Sequence, residues 1–348
     1  MIIDKYISVK LKVISFFSML LVVFRHAYNL GENVIVAKKE CVSFFVQIFV
    51  SSGFTSIAVP IFFSISGFFL FLGKKQSFRE YFLLLNKKFK SLVIPYLFWS
   101  IFWFLIYFLK GHYKDYSVTT ILNDIFINPI PLQFWFIRDL FGLVVISPLI
   151  YLLIKYTNGF IIFILLFIWY FNVLIPLNES IALLFFAIGS YLAIKGINLK
   201  LSKDYSLALI LLWLLILFFQ TFLIFNSKEN ISILKLIQNN FVINFLDKSG
   251  IVLGMLVIWK IYDLLFNHID VANYKWFSIT DLSFFIYAFH LPILWMVPSY
   301  IYRFVGHNQF SLLIYIIAPT LLILFGLVLG TSLKRYMSPF FGIITGGR

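Results

Sequence analysis

Residues 12–30 read KVISFFSMLLVVFRHAYNL, a run that is long and apolar enough to cross a bilayer as one helix. This run carries Arg25 and His26 side by side near one end. Ionisable groups are costly inside a bilayer, so they normally face a protein interior or a water-filled cavity and mark a working site. We therefore take His26 as the leading catalytic candidate. The alternative is that Arg25 reaches the headgroups and His26 is an interfacial side chain.

The composition of the whole chain is that of a membrane protein. Of its 348 residues, 62% are hydrophobic and only 12% are charged, and the mean hydropathy is +0.98. A soluble domain of this length cannot hide so much apolar surface in one core. The apolar runs are also far longer than the roughly 10-residue alternating strands of a membrane barrel. The sequence therefore predicts an all-α, polytopic membrane helix bundle.

Apolar runs of about 17 to 25 residues predict about ten transmembrane helices. They lie near 12–30, 44–72, 91–109, 132–154, 159–176, 180–194, 205–225, 241–262, 280–300 and 311–332. Of the 28 Lys and Arg residues, 18 fall on the side that this assignment places in the cytoplasm and 7 on the other side. That excess predicts that both termini are cytoplasmic. We expect one membrane domain over residues 1–348, with no appended soluble domain, because no polar stretch is long enough to fold alone.

Charge and cysteine content limit which cross-links, metal sites and partners the chain can have. The net charge is +14 and Cys41 is the only cysteine, which excludes an internal disulfide and a thiolate metal cluster. In a membrane protein the distribution of basic residues reports topology, so we expect no nucleic-acid partner. The histidines lack the i, i+4 spacing of a helical zinc site, and the sequence predicts no metal.

Two further predicted spans carry ionisable groups. The fourth contains Arg138 and Asp139 in the run FWFIRDLFGLVV, and the ninth contains His290. We expect Arg138 and Asp139 about two turns, or roughly 10 Å, below the outer surface, in the same layer as Arg25 and His26. A base, an orienting carboxylate and stabilising cations would converge in such a layer. An ion pair that only aligns helices, and a structural buried histidine, explain the same residues equally well.

The eighth predicted span has an adjacent acid and base, Asp247 and Lys248. Charges in a span are candidates for function, but ion pairing or snorkelling to the headgroups explains these two equally well. From the sequence alone they receive no role.

The chain is basic where the second predicted span ends and the third begins. The connecting loop holds six cations, Lys74, Lys75, Arg79, Lys87, Lys88 and Lys90. Clustered Lys and Arg pair with phosphates, so the loop is a candidate clamp for a phosphate-bearing donor. The positive-inside signal and anionic lipid binding explain it as well. Ser66 and Gly67, near the end of the second span, supply a hydroxyl and allow close helix approach, which is more often packing than chemistry.

Five motifs, together with His26, resemble the acyltransferase-3 family of membrane O-acyltransferases. In chain order they are VPIFFSISGFFLF, KKFKSLVIPYLFW, FWFIRDLFGLVVISPLIY, FFAIGSYLA and SFFIYAFHLPIL. The resemblance extends from about residue 10 to about residue 330. It implies ten or so helices and the transfer of an acyl group from cytoplasmic acyl-CoA to a hydroxyl of a cell-surface or lipid-linked glycan.

The resemblance also implies roles for single residues. His26 matches the family histidine that is essential to acyl transfer, and Arg138 and Asp139 match a Trp-Phe-x-Arg-Asp-Leu signature. Many members have Arg or Lys eleven positions before the histidine, where this chain has Ser15. Ser15 and His26 share one helix face, because eleven residues is close to three turns. Lys12 lies about 40° away from that face, and we predict that it supplies the missing cation near the cytoplasmic mouth.

The mechanism that follows needs a base, positioning and a stabilised oxyanion. His26 is expected to accept the hydroxyl proton, Arg25 or Arg138 to stabilise negative charge, and Asp139 to orient the cluster. The expected donor is acyl-CoA, most simply acetyl-CoA. Its phosphates would bind the basic loop, and Lys12 and Ser66 are further candidates for binding the cofactor.

Two alternatives stay open on the sequence. A covalent acyl-enzyme through Ser66 or His290 fits the same residues. A transporter or flippase, which moves a glycan or an acyl group without making bonds, also uses buried charge and proline-broken helices. In either case the expected location is a bacterial inner (plasma) membrane. The expected partners are a glycan acceptor, membrane lipids and proteins of polysaccharide biosynthesis.

Overall fold

The computed structural model describes residues 4–28, 42–72, 78–111, 117–173, 180–197, 205–227, 233–267, 269–305 and 311–347. Within these ranges the chain is helical and contains no strand, which confirms the predicted all-α bundle. The α-helices are α1 (Lys5–Ala27), α2 (Val42–Ile48), α3 (Ala58–Phe71), α4 (Phe78–Lys88), α5 (Ile94–Leu109), α6 (Val118–Phe126), α7 (Trp135–Val145), α8 (Ser147–Tyr156), α9 (Ile161–Tyr170), α10 (Ser180–Lys195), α11 (Ser206–Phe225), α12 (Ile233–Asn239), α13 (Phe241–Phe266), α14 (Ser283–Val305), α15 (Ser311–Tyr336) and α16 (Ser338–Thr345).

Several of these helices join into longer rods through π and 3₁₀ turns. A π turn at Phe49–Gly53 and a 3₁₀ turn at Phe54–Ile57 link α2 to α3. A second π turn, Phe89–Val93, links α4 to α5. Two 3₁₀ segments, Leu132–Phe134 and Lys275–Leu282, lead into α7 and α14.

In the described part of the chain, seven helical rods are long and apolar enough to cross a membrane. They are Lys5–Ala27, Val42–Phe71, Arg79–Leu109, Ser206–Phe225, Phe241–Phe266, Lys275–Val297 and Ser311–Tyr336. Leu132–Val145 and Ser147–Tyr156 are bent by 61° at a short break and count as an eighth if they form one span.

Each of the ten predicted runs contains a helix, but in the described residues two of these helices are shorter than a full span. The two helices that fall short are α9, with 10 residues, and α10, with 16 residues. At 1.5 Å per residue they are about 15 and 24 Å long, shorter than the roughly 30 Å hydrocarbon core. The sequence shows how far an apolar run extends but not where its helix ends.

Two glycine motifs bring α3 and α10 into close contact. A Cβ atom at Gly67 would clash with the carbonyl oxygen of Phe186, and one at Gly189 would clash with the carbonyl of Ser64. Only glycine fits where two helix backbones approach this closely. The packing explanation of the Ser-Gly motif thus accounts for Gly67. Among the residues that the structure describes, the half-buried Ser66 makes no contact that indicates chemistry.

The helix α1 runs through the bundle and packs on α3, α14 and α15. Its buried side chains, among them Met19 and Val23, join the main core together with Phe285 and Leu294 of α14. Burial on several sides fixes the rotation of α1. The end of α1 that carries Arg25 and His26 is thereby held against α14.

The segment before α7 folds back into the bundle. The Tyr96 hydroxyl, near the start of α5, donates to the carbonyl of Phe126 at 3.0 Å. The Tyr287 hydroxyl of α14 donates to the carbonyl of Gln133. As a result α7 begins among the other helices, and Gln133 and Phe134 just before it are buried.

Candidate active site

Two of the predicted catalytic residues, His26 and His290, lie side by side. Their ring centroids are 5.4 Å apart and the ring planes are inclined by 41°. His26 is half-buried at the end of α1, and His290 in α14 is fully buried. Two imidazoles from different helices therefore face each other inside the bundle, where either ring is positioned for proton transfer.

The tautomer of His290 follows from one hydrogen bond. Its Nδ1 lies 2.7 Å from the carbonyl oxygen of Tyr287, and because a carbonyl can only accept, Nδ1 carries the hydrogen. In the neutral ring Nε2 then holds a lone pair. This Nε2 is buried and has no hydrogen-bond partner among the residues that the structure describes. An unpartnered buried acceptor is unfavourable, so the ring is arranged to receive a proton or a hydrogen bond from a bound group.

The regular part of α14 breaks just after His290. Leu291 has φ −104° and ψ 144°, an extended conformation inside an otherwise helical segment. A residue that precedes proline is pushed out of the helical region, and Pro292 follows here. Interrupted helices inside membrane proteins occur where the backbone is enclosed by protein or lines a cavity. The break thus marks the neighbourhood of His290 as a site rather than a simple span.

Arg25 reaches into the same region from α1. Its Nη1 is 3.4 Å from the carbonyl oxygen of Ser51, which is a long contact for a hydrogen bond. Ser51 lies in the π turn, a type of turn that is frequent at functional sites. The Arg25 side chain is exposed.

Ser51 ties this end of α1 to α15. Its hydroxyl donates to the carbonyl oxygen of Phe24 at 3.0 Å and lies 2.6 Å from the hydroxyl of Tyr315. Thr55 donates in turn to the carbonyl of Ser51 at 2.7 Å. The last turn of α1 is therefore held by hydrogen bonds on one side and by His290 on the other.

Asp247 of α13 is a residue of this site that the sequence did not assign. Its carboxylate interacts electrostatically with Arg25 and accepts a hydrogen bond from Gln220 at 3.1 Å. The available signal was a charge inside a predicted span. That signal did not identify the partner, because spacing along one helix says nothing about contacts with another helix.

The structure corrects the expected position of Arg138 and Asp139. Arg138 donates to Asp139 at 2.9 Å and to the carbonyl of Ile127 at 2.6 Å, and its charge acts on Tyr96. Tyr96 is only six positions after Lys90, so the pair lies toward the basic end of α5 instead of the outer layer. The reason is the fold-back of residues 117–134. The pair is linked to the histidines through ring contacts of Phe134, 5.9 Å from Tyr96 and 6.1 Å from Tyr287.

Lys12 lies in a separate cluster at the other end of α1. Its Nζ is 2.5 Å from Asp281, whose second oxygen is 2.7 Å from Nζ of Lys334. The Lys12 ammonium also lies 4.9 Å from the ring centre of Phe277. Two cations thus share one carboxylate, and the cluster keeps a net positive charge.

The basic loop is described in part. Lys74 and Lys75 lie outside the described residues. Arg79, Lys87 and Lys90 are exposed, and Lys88 is half-buried. The four described cations follow one helical rod, because α4 continues through the π turn into α5. A surface of this kind can bind an anionic group.

The comparisons with known proteins identify the family of this chain. The chain matches the acyltransferase-3 family, described as an acyltransferase domain, over residues 10–334. It is similar to the succinoglycan biosynthesis protein ExoH of Rhizobium meliloti (strain 1021), with 25% identity over 329 residues, 87% of this chain and 82% of the relative. No solved structure matches the chain significantly. Since the family match covers most of the chain, the protein belongs to the acyltransferase-3 family and is a membrane enzyme that transfers acyl groups other than aminoacyl groups.

Proposed function

We propose that this acyltransferase moves an acetyl group from cytoplasmic acetyl-CoA to a hydroxyl of a cell-surface or lipid-linked polysaccharide in a bacterial inner membrane. The observation that carries the proposal is the unpartnered Nε2 of His290 next to the His26 ring. A transfer to a hydroxyl needs a base, here His26, because a sugar hydroxyl is a poor nucleophile at neutral pH. The name of the relative, which links that protein to synthesis of a glycan, supports the acceptor class.

The proposed reaction uses both histidines. The acceptor oxygen attacks the thioester carbonyl while His26 takes the hydroxyl proton. His290 accepts a hydrogen bond at Nε2 from the His26 imidazolium that forms, and so keeps that ring in place. The tetrahedral oxyanion forms beside Arg25, whose charge stabilises it. The C–S bond then breaks, the carbonyl reforms, and the sulfur takes the proton that His26 held, so that CoA leaves as its thiol.

The donor path is proposed along α7. This helix begins beside Tyr287 and ends at Val145, whose carbonyl accepts a hydrogen bond from Tyr81 of α4 at 2.7 Å. Arg138 and Asp139 lie between these two ends. The contacts support an arrangement in which the thioester reaches the histidines while the CoA phosphates stay at the basic rod. The phosphate ligands would be Arg79, Lys87, Lys88 and Lys90, with Lys74 and Lys75 as further members outside the described residues.

The test is the acyl content of surface polysaccharide, measured by NMR or mass spectrometry. Cells lacking the protein are compared with cells complemented by the wild type, by His26→Ala or by Asp270→Asn, which changes an exposed residue away from the site. We expect acylation to disappear on deletion and to return with the wild type and Asp270→Asn only. A deletion that alters the amount of exported glycan but not its acylation would contradict the proposal and favour transport.

A further inference from the structure

We propose that the side-chain amide of Gln133 binds the amide of the pantetheine arm that lies nearest the thioester, and so places the reacting carbonyl beside His26 and His290. The inference rests on the transfer from acetyl-CoA proposed above, and it names the residue that holds the donor close to the bond that breaks. Gln133 lies in the 3₁₀ segment Leu132–Phe134, immediately before α7.

The side chain of Gln133 is buried without a hydrogen bond. It is 2% exposed, and neither Nε2 nor Oε1 has a hydrogen-bond partner among the residues that the structure describes. A buried amide without partners is unfavourable, because it has lost its hydrogen bonds to water and has gained none from protein. A glutamine in such a place indicates a bound group that supplies both a donor and an acceptor.

The backbone of Gln133 is held in place on two sides. Its carbonyl oxygen accepts a hydrogen bond from the Tyr287 hydroxyl of α14, and the next residue, Phe134, donates its N–H to the carbonyl of Pro131 at 2.9 Å. Phe134 is fully buried, and its ring centre lies 5.9 Å from that of Tyr96 in α5. The turn is thereby fixed between α5 and α14, so a rigid support carries the Gln133 amide.

Tyr287 connects Gln133 to the histidines. Its carbonyl oxygen lies 2.7 Å from Nδ1 of His290, and the centres of the Tyr287 and His290 rings are 6.1 Å apart. Three buried polar atoms without partners in the described part of the chain, two on Gln133 and Nε2 on His290, thus belong to residues that contact the same tyrosine. Because the proposed donor path follows α7, and α7 begins directly after Gln133, the arm passes this amide just before it reaches the histidines.

The chemistry of the donor matches the two atoms of Gln133. In acetyl-CoA an ethylene link joins the sulfur to a secondary amide, which has one N–H and one carbonyl. The N–H donates to Oε1 of Gln133 while the carbonyl accepts from Nε2, so one amide pairs with the other. A hydroxyl of the glycan presents both functions on a single oxygen and cannot face the two atoms in this parallel way.

The length of α7 agrees with this placement. Its 11 residues span about 16 Å at 1.5 Å per residue. At the far end, the carbonyl of Val145 accepts a hydrogen bond from Tyr81 of α4, the helix that also carries Lys87 and Lys88. An extended pantetheine arm spans a comparable distance, so one bound molecule can place its phosphates at the basic rod and its last amide at Gln133.

The first test compares two donors on purified, lipid-reconstituted full-length protein, with polysaccharide from the deletion strain as the acceptor. One donor is acetyl-CoA with a labelled acetyl group. The other is an analogue in which methylene groups replace the amide nearest the sulfur. Two hydrogen bonds, each worth about two- to tenfold, predict that the wild-type kcat/KM is about 5- to 100-fold higher for acetyl-CoA than for the analogue.

The second test uses Gln133→Met, which keeps the length of the side chain and removes both polar atoms. We expect kcat/KM to fall about 5- to 100-fold for acetyl-CoA and less than about twofold for the analogue, because the analogue lacks the amide that Gln133 binds. Tm should be unchanged or raised, because the substitution removes buried polar atoms that lack partners.

The matched control is Gln47→Met in α2. Gln47 is also buried, at 3% exposed, but its Nε2 donates to the hydroxyl of Ser43 at 3.1 Å. Its replacement breaks a hydrogen bond that the fold makes, so Tm should fall while the preference for acetyl-CoA over the analogue stays at the wild-type value.

Each other outcome overturns the inference. A wild type that uses both donors equally would do so, as would a Gln133→Met variant that loses less than about twofold with acetyl-CoA or at least as much with the analogue. A lowered Tm in Gln133→Met would show that the amide serves the fold. If the wild type transfers no acetyl group from acetyl-CoA, the proposed function fails and the inference fails with it. An active wild type with any of the other results removes the inference alone.

Discussion

Charged side chains are paired differently at the two ends of α1, the end at Lys5 and the end that carries His26. In the first, Lys5, Lys10 and Lys12 each lie within 2.5–2.8 Å of a carboxylate from the α13–α14 region. In the second, Arg25 has one long hydrogen bond, and His26 faces an imidazole with an unpartnered nitrogen. Paired charges fix a helix in the bundle, whereas incompletely paired groups are available to a substrate.

The largest effect is expected at His26. Replacing it with Ala removes the base, and kcat should fall about 10³-fold, within the range for general base catalysis. Thermal unfolding should change little, because the ring is only half-buried. The measurement is labelled acetyl transfer by protein in liposomes. A variant that keeps more than a tenth of the wild-type rate would place the base elsewhere.

The next effect separates the two nitrogens of His290. In His290→Asn the amide nitrogen can replace Nδ1 and donate to Tyr287, but nothing replaces Nε2. In His290→Gln the longer side chain returns a hydrogen-bond acceptor near the Nε2 position. Loss of a hydrogen bond to a charged group is worth about 1.5–3 kcal/mol, so we expect kcat to fall about 10- to 100-fold in the Asn variant and less in the Gln variant. Equal kcat values in the two variants would contradict a role for Nε2 as an acceptor.

At the other end of α1 the largest effect should be on stability. Lys10 is 1% exposed, its Nζ lies 2.7 Å from Asp263, and Tyr6 donates to the same carboxylate at 2.6 Å. Lys10→Met leaves Asp263 without its cation and should lower the free energy of unfolding by about 3 kcal/mol, because one partner of a buried pair is lost. Rate per folded molecule should not change. The check is Tm in detergent, with Lys5→Met as the exposed control and Lys10→Met/Asp263→Asn expected to recover part of the loss.

A smaller effect is expected for Lys12, which is 43% exposed and shares Asp281 with Lys334. If Lys12 supplies the cation that Ser15 lacks, Lys12→Ala should raise KM for acetyl-CoA about two- to fivefold, the size of an exposed ionic contact. Lys5→Ala is the matched control because Lys5 is another exposed lysine on the same helix. An unchanged KM in Lys12→Ala would show that the lysine is only part of the ionic contact between helices.

The smallest effect is expected for the pair of Lys5 and Asp270. The hydrogen bond from Lys5 holds the pKa of Asp270 below its ordinary value of 3.8. A carboxyl group whose pKa is lowered in the folded protein stabilises the fold at pH values above its ordinary pKa. This stabilisation is lost as the pH falls through the lowered pKa. Asp270→Asn should therefore lower Tm only slightly at neutral pH, because the pair is exposed, and this small difference from the wild type should disappear as the pH falls below about pH 4. A clear loss of Tm at pH 7 would mean that exposed pairs also hold this end of the bundle.

The sequence predicted the features that depend on a single helix, namely where helices form and which of them carry charged residues. The apolar runs predicted the helices, and the rule that charge in a span marks a site pointed to His26, Arg25 and His290. It could not predict that the charges of Arg25 and Asp247 interact, because the two residues lie on different helices. The sequence gives no distance between separate helices.

Depth in the bundle was the other quantity that the sequence could not provide. Arg138 was expected near the outer surface because it follows a polar loop, but that loop folds back so that Phe126 meets Tyr96. Likewise α9 ends at Tyr170, before its apolar run does, and Asn172 adopts φ 52° just beyond. Both differences come from backbone geometry between helices, for which hydropathy carries no signal.

The most direct measurement compares the two ends of α1 in one experiment. Acetyl transfer per folded molecule is measured for the wild type, His26→Ala and Lys10→Met, with the folded fraction of each taken from its unfolding curve. We predict that His26→Ala loses about 10³-fold with an unchanged Tm, while Lys10→Met keeps the wild-type rate with a lowered Tm. The account is contradicted if both variants lose rate to the same extent, or if Lys10→Met loses rate while its Tm is unchanged.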